Sequence, residues 1–223
     1  MATNVVPAGS NLAVFRPYIF YAPVGSPVPP ITTPYGLETW PSPWKPIRDT
    51  VGGISPTPQN PQDTIQGDRQ GVVGRMPTGE ATVAIAMQAL YADIDLVMAL
   101  SPFVKTSVAA VTGPPAYPAY DVYNFKADVP KQIMLGWDGF SKAGTFTDVD
   151  SIVRTIAFHC QLTDDLAWVF RHSGGGDAPF EPEFALEAVP GPLSASQFTD
   201  TGIDMSIVDP DGRYTQFIIP VGS

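Results

Sequence analysis

Proline and glycine interrupt this sequence at short intervals, which limits what the chain can fold into. The 223 residues include 25 prolines and 20 glycines, about a fifth of the chain, where average usage gives roughly 12%. They are scattered among apolar runs without a fixed period, which excludes collagen and simple low-complexity sequence. Because dispersed breakers leave room mainly for short elements, the sequence predicts strands joined by turns rather than a helical bundle.

The charge content is low and its balance is acidic. Charged residues make up 15% of the chain, against roughly 25% in ordinary soluble domains. Hydrophobic residues make up 44%, so the chain can bury a core, and we expect a single domain over residues 1–223. With so few charges, part of the surface is expected to be covered by a partner. The net charge of −10 argues against a protein that binds nucleic acid tightly.

The single cysteine, Cys160, excludes an internal disulfide framework. The first residues have neither the basic region nor the apolar run of a signal peptide. No stretch approaches the ~20 apolar residues of a membrane span. We therefore expect an unprocessed, soluble protein that is made in a cytoplasm and has no contact with a membrane.

Alternating and β-branched segments predict an antiparallel, mainly β fold of the sandwich or barrel type. Pro17 places the first strand at an edge or in a bulge. Residues 209–212 combine proline and glycine as a hairpin turn does. The predicted strands span residues 12–24, 78–87, 132–140, 152–160, 166–170, 184–189, 203–208 and 213–219.

The segment around residue 87 shows the clearest change of period. Over 78–87 one face carries Val83, Ile85 and Met87, and the opposite face is small and polar. That second face consists of Glu80, Thr82, Ala84 and Ala86. From Met87 onward the apolar spacing becomes helical, which predicts one flanking α-helix at about 87–100.

Two segments lack the pattern of either element. Residues 25–46 are rich in proline and are predicted to run extended over the surface, with Tyr35, Trp40 and Trp44 covered by this subunit or a neighbour. Residues 55–76 are mostly polar and are predicted to be a long loop without structure of its own, available as an arm.

Groups suited to catalysis or to metal binding are few. His159 and Cys160 are adjacent, so on a regular strand they point to opposite faces. The glycine-rich stretch after His172 lacks the lysine of a phosphate-binding loop. No acidic pair fits a calcium loop. We expect no enzymatic activity, no metal and no cofactor.

The segment from Trp44 to the predicted helix resembles the major tail tube proteins of long-tailed bacteriophages of the siphophage type. The residues that carry the resemblance are the glycine turn at 51–54, the long polar loop, the strand at 78–87 and the helix after it. The proline-rich segment 25–46 departs from the family pattern.

The resemblance implies a non-enzymatic virion protein that forms stacked hexameric rings. The rings would build a tail tube for DNA ejection, with tape measure and tail terminator proteins as further partners and DNA only in passage. The polar loop would be the arm between subunits or rings, through Asp63, Ile65, Arg69, Val72 and Arg75.

The resemblance also implies that a strand face lines the lumen of the tube. The small face of the 78–87 strand is assigned to it, with Glu80, Thr82, Ala84 and Ala86 facing the lumen. The alternative from the residues alone is a minor virion or secreted β-sandwich module that binds carbohydrate or a receptor through the aromatic residues of 18–44.

Overall fold

The computed structural model describes residues 15–36, 39–48, 50–60, 62–67, 71–77, 81–89, 94–101, 103–125, 131–141, 151–163 and 183–220. The first five strands are β1 (Phe15–Pro23), β2 (Lys45–Ile47), β3 (Thr50–Gln59), β4 (Gln62–Gly67) and β5 (Gly71–Pro77). Next come β6 (Thr82–Ala89), the helix α1 (Ile94–Leu100), β7 (Phe103–Val108) and β8 (Tyr120–Phe125). The last are β9 (Ile133–Ser141), β10 (Ser151–Leu162), β11 (Glu183–Ala188) and β12 (Tyr214–Pro220).

The described strands confirm the prediction of a mainly β, antiparallel fold with one α-helix. One sheet of eight strands has the order β2-β1-β9-β10-β11-β6-β3, and β12 pairs with β10 beside this path. The hairpins β4–β5 and β7–β8 each form a separate sheet of two strands. Every registered pair is antiparallel.

The large sheet branches at β10 and curls back on itself. Residues 151–157 pair with β12, whereas residues 160–162 pair with β11, and a bulge separates these two halves. Beyond β11 the sheet turns until β3 approaches β1. Gly53 has a φ of +79°, which favours glycine, and an added Cβ there would lie only 3.2 Å from Cγ of Pro17.

The curled sheet encloses an inner cluster of apolar side chains. Alternate residues of β1 and β9 enter it, among them Ile19 and Leu135. The inner faces of β6 and β11 meet them from the opposite side, and α1 adds Leu96 and Val97. This cluster is the core that joins the two ends of the sheet.

A second cluster lies on the outer face of β1, β9 and β10. Phe20, Met134 and Phe158 point to this side. Two irregular segments, residues 24–44 and 189–212, cover the face with side chains such as Val28, Trp40, Phe198 and Val208. Trp40 and Trp44 are only 6% and 5% exposed. The described part of the proline-rich segment therefore runs over the outer face of the sheet with several side chains exposed, as predicted, and Trp40 and Trp44 are covered within this same subunit, one of the two predicted alternatives.

Glycine in β9 permits this tight cover. A Cβ added at Gly136 would lie 2.5 Å from ring atoms of Trp40 and 3.2 Å from the ring of Trp44. The two indoles meet edge to face, with ring centroids 4.8 Å apart, and Trp40 also stacks on Phe20. The bare backbone of Gly136 is what lets them sit against the strand.

The predicted strands at 12–24, 132–140, 152–160 and 184–189 correspond to β1, β9, β10 and β11. Pro17 lies in a bulge of β1, between Phe15 and Tyr18, as one of the two expected alternatives. The predicted strand at 166–170 lies outside the described residues.

The helix is shorter than the predicted 87–100. Strand β6 continues to Ala89, and α1 begins at Ile94. Met87 belongs to the strand because its side chain completes the buried row of Val83 and Ile85. The spacing between Met87 and the apolar residues of α1 fits a helix, but Met87 also fits the end of a strand. Periodicity alone therefore could not locate the boundary between β6 and α1. The predicted end is confirmed, since α1 ends at Leu100.

The predicted C-terminal hairpin is wrong in its first arm. The turn at residues 209–212 is present, and the Gly212 amide donates to the Asp209 carbonyl oxygen at 2.9 Å. Residues 203–208, however, contain a short 3₁₀ helix, Met205–Ile207, instead of a strand. Strand β12 pairs with β10 instead, because the long β10 offers a free side next to the bulge.

The predicted unstructured loop at 55–76 is also wrong for the described residues. Strand β3 continues to Gln59, and β4 and β5 follow as a hairpin. Gln59 pairs with Thr82 at the end of the β3–β6 ladder, and the hairpin extends the chain beyond this end. Polar sequence does not prevent strand pairing, because the ladder is formed by backbone N–H and C=O groups, which polar residues carry as well as apolar ones. No described helix is long and apolar enough to span a bilayer.

Candidate assembly surfaces

Three of the four predicted lumen residues, Thr82, Ala84 and Ala86, share one face of β6, as their spacing requires. Val83, Ile85 and Met87 are buried, whereas Thr82 and Ala84 are partly exposed and Ala86 is exposed. The alternation predicted for this strand is therefore confirmed. Glu80 lies outside the described residues.

Neighbouring strands extend this outer face with further small side chains. Ala86 stands opposite Ser55 on β3 and Ala185 on β11. Ala84 stands opposite Thr57 and Glu187 in the same way. The three strands thus present a shallow face of alanine, serine and threonine. Glu187 adds an acidic group to this face, which the sequence analysis did not predict.

The predicted arm residues lie in the β4–β5 hairpin, where only the backbone is described for them. Asp63 pairs with Met76, and Ile65 with Gly74. Val72 pairs with Gln66, and Arg75 with Thr64. Arg69 lies outside the described residues. The hairpin brings the other four residues into one narrow ribbon.

A second hairpin, β7–β8, forms a sheet of its own outside the large sheet, and the sequence analysis did not predict it. Of its described side chains, nearly all from residue 104 to residue 121 are exposed. The exposed ones include large apolar groups, whose contact with water is unfavourable in a monomer: Val104, Val111, Tyr117 and Tyr120. Tyr120 is 50% exposed.

Internal contacts hold this second hairpin in shape. Lys105 forms an ion pair with Asp121 across the strands, with Nζ and Oδ2 2.9 Å apart, and the pair lowers the pKa of Asp121. Tyr117 and Tyr120 contact each other edge to face. The aromatic and β-branched residues on both sides of loop 109–119 were the available sequence signal.

A buried charged network lies under the proline-rich segment. Arg154 and Asp138 are cross-strand neighbours on β10 and β9, and both side chains are fully buried. The Arg154 guanidinium donates to both Asp138 carboxylate oxygens, at 2.8 and 2.7 Å. Trp40 Nε1 donates to the same carboxylate at 2.8 Å, and the guanidinium lies 5.1 Å from the Trp40 ring centroid.

Arg154 also binds the backbone of the covering segment. It donates to the carbonyl oxygens of Pro30 at 2.7 Å and of Thr33 at 3.1 Å. A proline-rich chain offers many acceptors and few donors, and a guanidinium with five N–H groups satisfies them. Arg154, which breaks the apolar pattern of its strand, therefore anchors this segment. The role is structural.

His159 and Cys160 do not form a nucleophile–base pair. Cys160 belongs to the inner cluster, and burial raises the pKa of its thiol to about 12. His159 lies on the other side, with Nε2 3.4 Å from the Pro192 carbonyl oxygen and Nδ1 3.4 Å from Oε1 of Gln132. Burial lowers the pKa of its imidazole. His172 lies outside the described residues.

The acidic pairs that the structure describes serve local backbone and surface contacts. Asp209 accepts from the amides of Asp211, Arg213 and Tyr214. Asp95, in the first turn of α1, pairs with Lys45 at 2.7 Å. Within the described part of the chain, no group of three His, Cys, Asp or Glu side chains is placed to hold a metal ion.

No protein-family model matches this chain, and no curated protein is significantly similar to it in sequence. The resemblance to tail tube proteins therefore stays a prediction. The geometry on which a function can be argued is that of the two hairpins, the small outer face of β6 and the edges of the large sheet.

Proposed function

We propose that this chain is a structural virion subunit that self-assembles into stacked hexameric rings and forms the tail tube of a long-tailed bacteriophage. The rings enclose a conduit for DNA. Tape measure and tail terminator proteins are the further partners that this function requires, and the virion tail is the location. The chain has no enzymatic role in this proposal.

One observation carries the proposal: the curled sheet bears two hairpins that form separate sheets, and the β7–β8 hairpin exposes large apolar side chains. A two-stranded hairpin is marginally stable by itself in water, and apolar groups on it are costly unless a partner covers them. Copies of the same chain are the partner that a repeating tube supplies. The low charge content agrees with extensive covered surface.

The outer face of β6 supports the conduit. A surface past which DNA slides has to be shallow and free of basic groups, because Lys and Arg bind phosphates. Thr82, Ala84 and Ala86 are small and uncharged, and Glu187 beside them is acidic. The net charge of −10 acts in the same direction.

Assembly of the purified chain tests the proposal. Sedimentation velocity across a concentration series, followed by negative-stain electron microscopy, is expected to show rings and tubes. Deletion of residues 63–71 removes most of β4 and the first residue of β5, and with them the β4–β5 ladder; it is expected to leave a folded subunit that does not stack. A chain that stays monomeric at every concentration would rule out the tube. Normal tubes from the deletion variant would rule out β4–β5 as the arm.

A carbohydrate- or receptor-binding module is the second candidate, and the exposed pair Tyr117 and Tyr120 favours it. Trp40 and Trp44 are buried and cannot form the binding platform. A glycan array with the wild type and with Tyr117→Ala separates the two functions. Glycan binding that disappears in the variant, from a chain that does not assemble, would support the module.

A further inference from the structure

Strands β2, β3 and β12 of the large sheet each have an edge at which no described strand pairs, and these edges are protected unequally. The β2 edge is only three residues long and includes Lys45 and Pro46. The β3 edge carries Pro56 and Pro58. Short strands, lysine and proline are the usual means by which sheet edges avoid pairing with other chains.

Strand β12 has none of these protections before its last residue. Its sequence, Tyr-Thr-Gln-Phe-Ile-Ile-Pro, has no charge and consists largely of β-branched and aromatic residues. Among the described strands it pairs only with β10. Ile218 is 58% exposed.

The direction of the backbone groups along β12 follows from its register. The Phe158 amide donates to the Arg213 carbonyl oxygen at 3.1 Å. In an antiparallel pair, every second residue makes such bonds, so Thr215, Phe217 and Ile219 direct their backbone toward β10.

The intervening residues of β12 direct their backbone groups away from β10, to an edge at which no other described strand pairs. Tyr214 confirms this direction, because its amide donates to the Asp209 side chain, outside the β10 ladder. Gln216 and Ile218 follow in the same phase, so their N–H and C=O groups face the edge as the donors and acceptors that an added strand requires.

We infer that β12 is a strand-acceptor edge for the β7–β8 hairpin of a second copy of this chain. The hairpin is a separate two-stranded sheet with six residues in each strand, long enough to lie along most of β12. Val104 and Tyr120 on the hairpin are exposed and uncharged, as is Ile218 on β12, so the two surfaces can cover each other's apolar side chains. Because donor and acceptor are different surfaces, the contact is head-to-tail and propagates into rings or fibres. This inference rests on the proposed self-assembly and specifies its contact.

A proline at position 218 tests the acceptor edge. Ile218→Pro removes an edge-facing N–H while keeping every bond of the β12–β10 ladder, and it is expected to raise the concentration for half-assembly about tenfold or more. Ile218→Thr keeps the N–H and the β-propensity and is expected to assemble much more like the wild type. Ile218→Lys tests the same edge without any backbone change and is expected to block assembly as strongly.

Mixing separates the head-to-tail contact from other arrangements. Ile218→Pro subunits still carry a donor hairpin, so in substoichiometric amounts they are expected to join wild-type assemblies and stop their growth. Wild-type assembly that is unaffected by them would overturn the hairpin as donor. Normal assembly of both Ile218→Pro and Ile218→Lys would overturn the β12 edge but leave the tube proposal intact. A wild type that never assembles would overturn both.

Discussion

At the scale of single residues, Arg154 is the side chain whose loss should cost the most. It pairs with Asp138 where neither side chain is exposed. Removing one partner of a buried pair leaves an uncompensated charge and costs about 3–5 kcal/mol. We expect Arg154→Met to lower the free energy of unfolding by about this amount, as measured by urea denaturation.

The double variant Arg154→Met/Asp138→Leu is the control for this measurement, because it leaves no buried charge. It is expected to be more stable than Arg154→Met alone, although Trp40 then lacks its acceptor. If the free energy of unfolding of the double variant falls by the sum of the losses in Arg154→Met and in Asp138→Leu, charge pairing is not what anchors the proline-rich segment.

His159 is expected to make stability depend on pH. Burial lowers its pKa below the ordinary 6.5, so just below this pH the unfolded chain binds more protons than the folded one. The free energy of unfolding then falls as pH falls from about 6.5 toward the lowered pKa, and the contribution is complete above 6.5. Urea denaturation between neutral and mildly acidic pH measures the slope.

His159→Gln is the comparison, since glutamine does not titrate and His172 is unchanged in both proteins. The slope below pH 6.5 is expected to be smaller in the variant. Equal slopes would mean that His159 takes up its proton without cost in the folded chain.

At the scale of elements, the fit between β9 and the proline-rich segment depends on Gly136. A Cβ there would lie 2.5 Å from the Trp40 ring, and overpacking of this kind costs about 1–3 kcal/mol. We expect Gly136→Ala to lower the unfolding midpoint in urea and to shift tryptophan emission to longer wavelength. Gly113→Ala, where nothing lies within 4 Å of the new Cβ, is the control. Identical emission from the two variants would show that Trp40 accommodates the methyl group.

At the scale of the whole molecule, the proposed assembly would multiply the effect of one surface charge. Ala86 is exposed on the proposed lumen face, so Ala86→Lys would place a lysine in every subunit of a tube. Such tubes are expected to retain DNA at low salt and to release it as salt rises, because phosphate binding depends steeply on salt. Ala86→Gln, of similar length but neutral, should retain none. Lysine tubes that do not bind DNA would place β6 on the outer wall.

The sequence by itself determined the β class, most of the strands of the large sheet and the two-faced character of β6. These features depend on local alternation and on breakers, which act over a few residues. It also identified the small face of Thr82, Ala84 and Ala86, because a period of two assigns side chains to faces without reference to the rest of the fold.

Only the tertiary structure decided which strands pair and which segments cover the sheet. Strand β12 pairs with β10 instead of forming a hairpin with residues 203–208. Residues 55–59, 62–67 and 71–76 lie in paired strands instead of a loop. Trp40 and Arg154 meet although they are 114 positions apart in the sequence. Such contacts depend on which distant surface completes a strand edge or accepts a buried donor, and no local pattern carries that information.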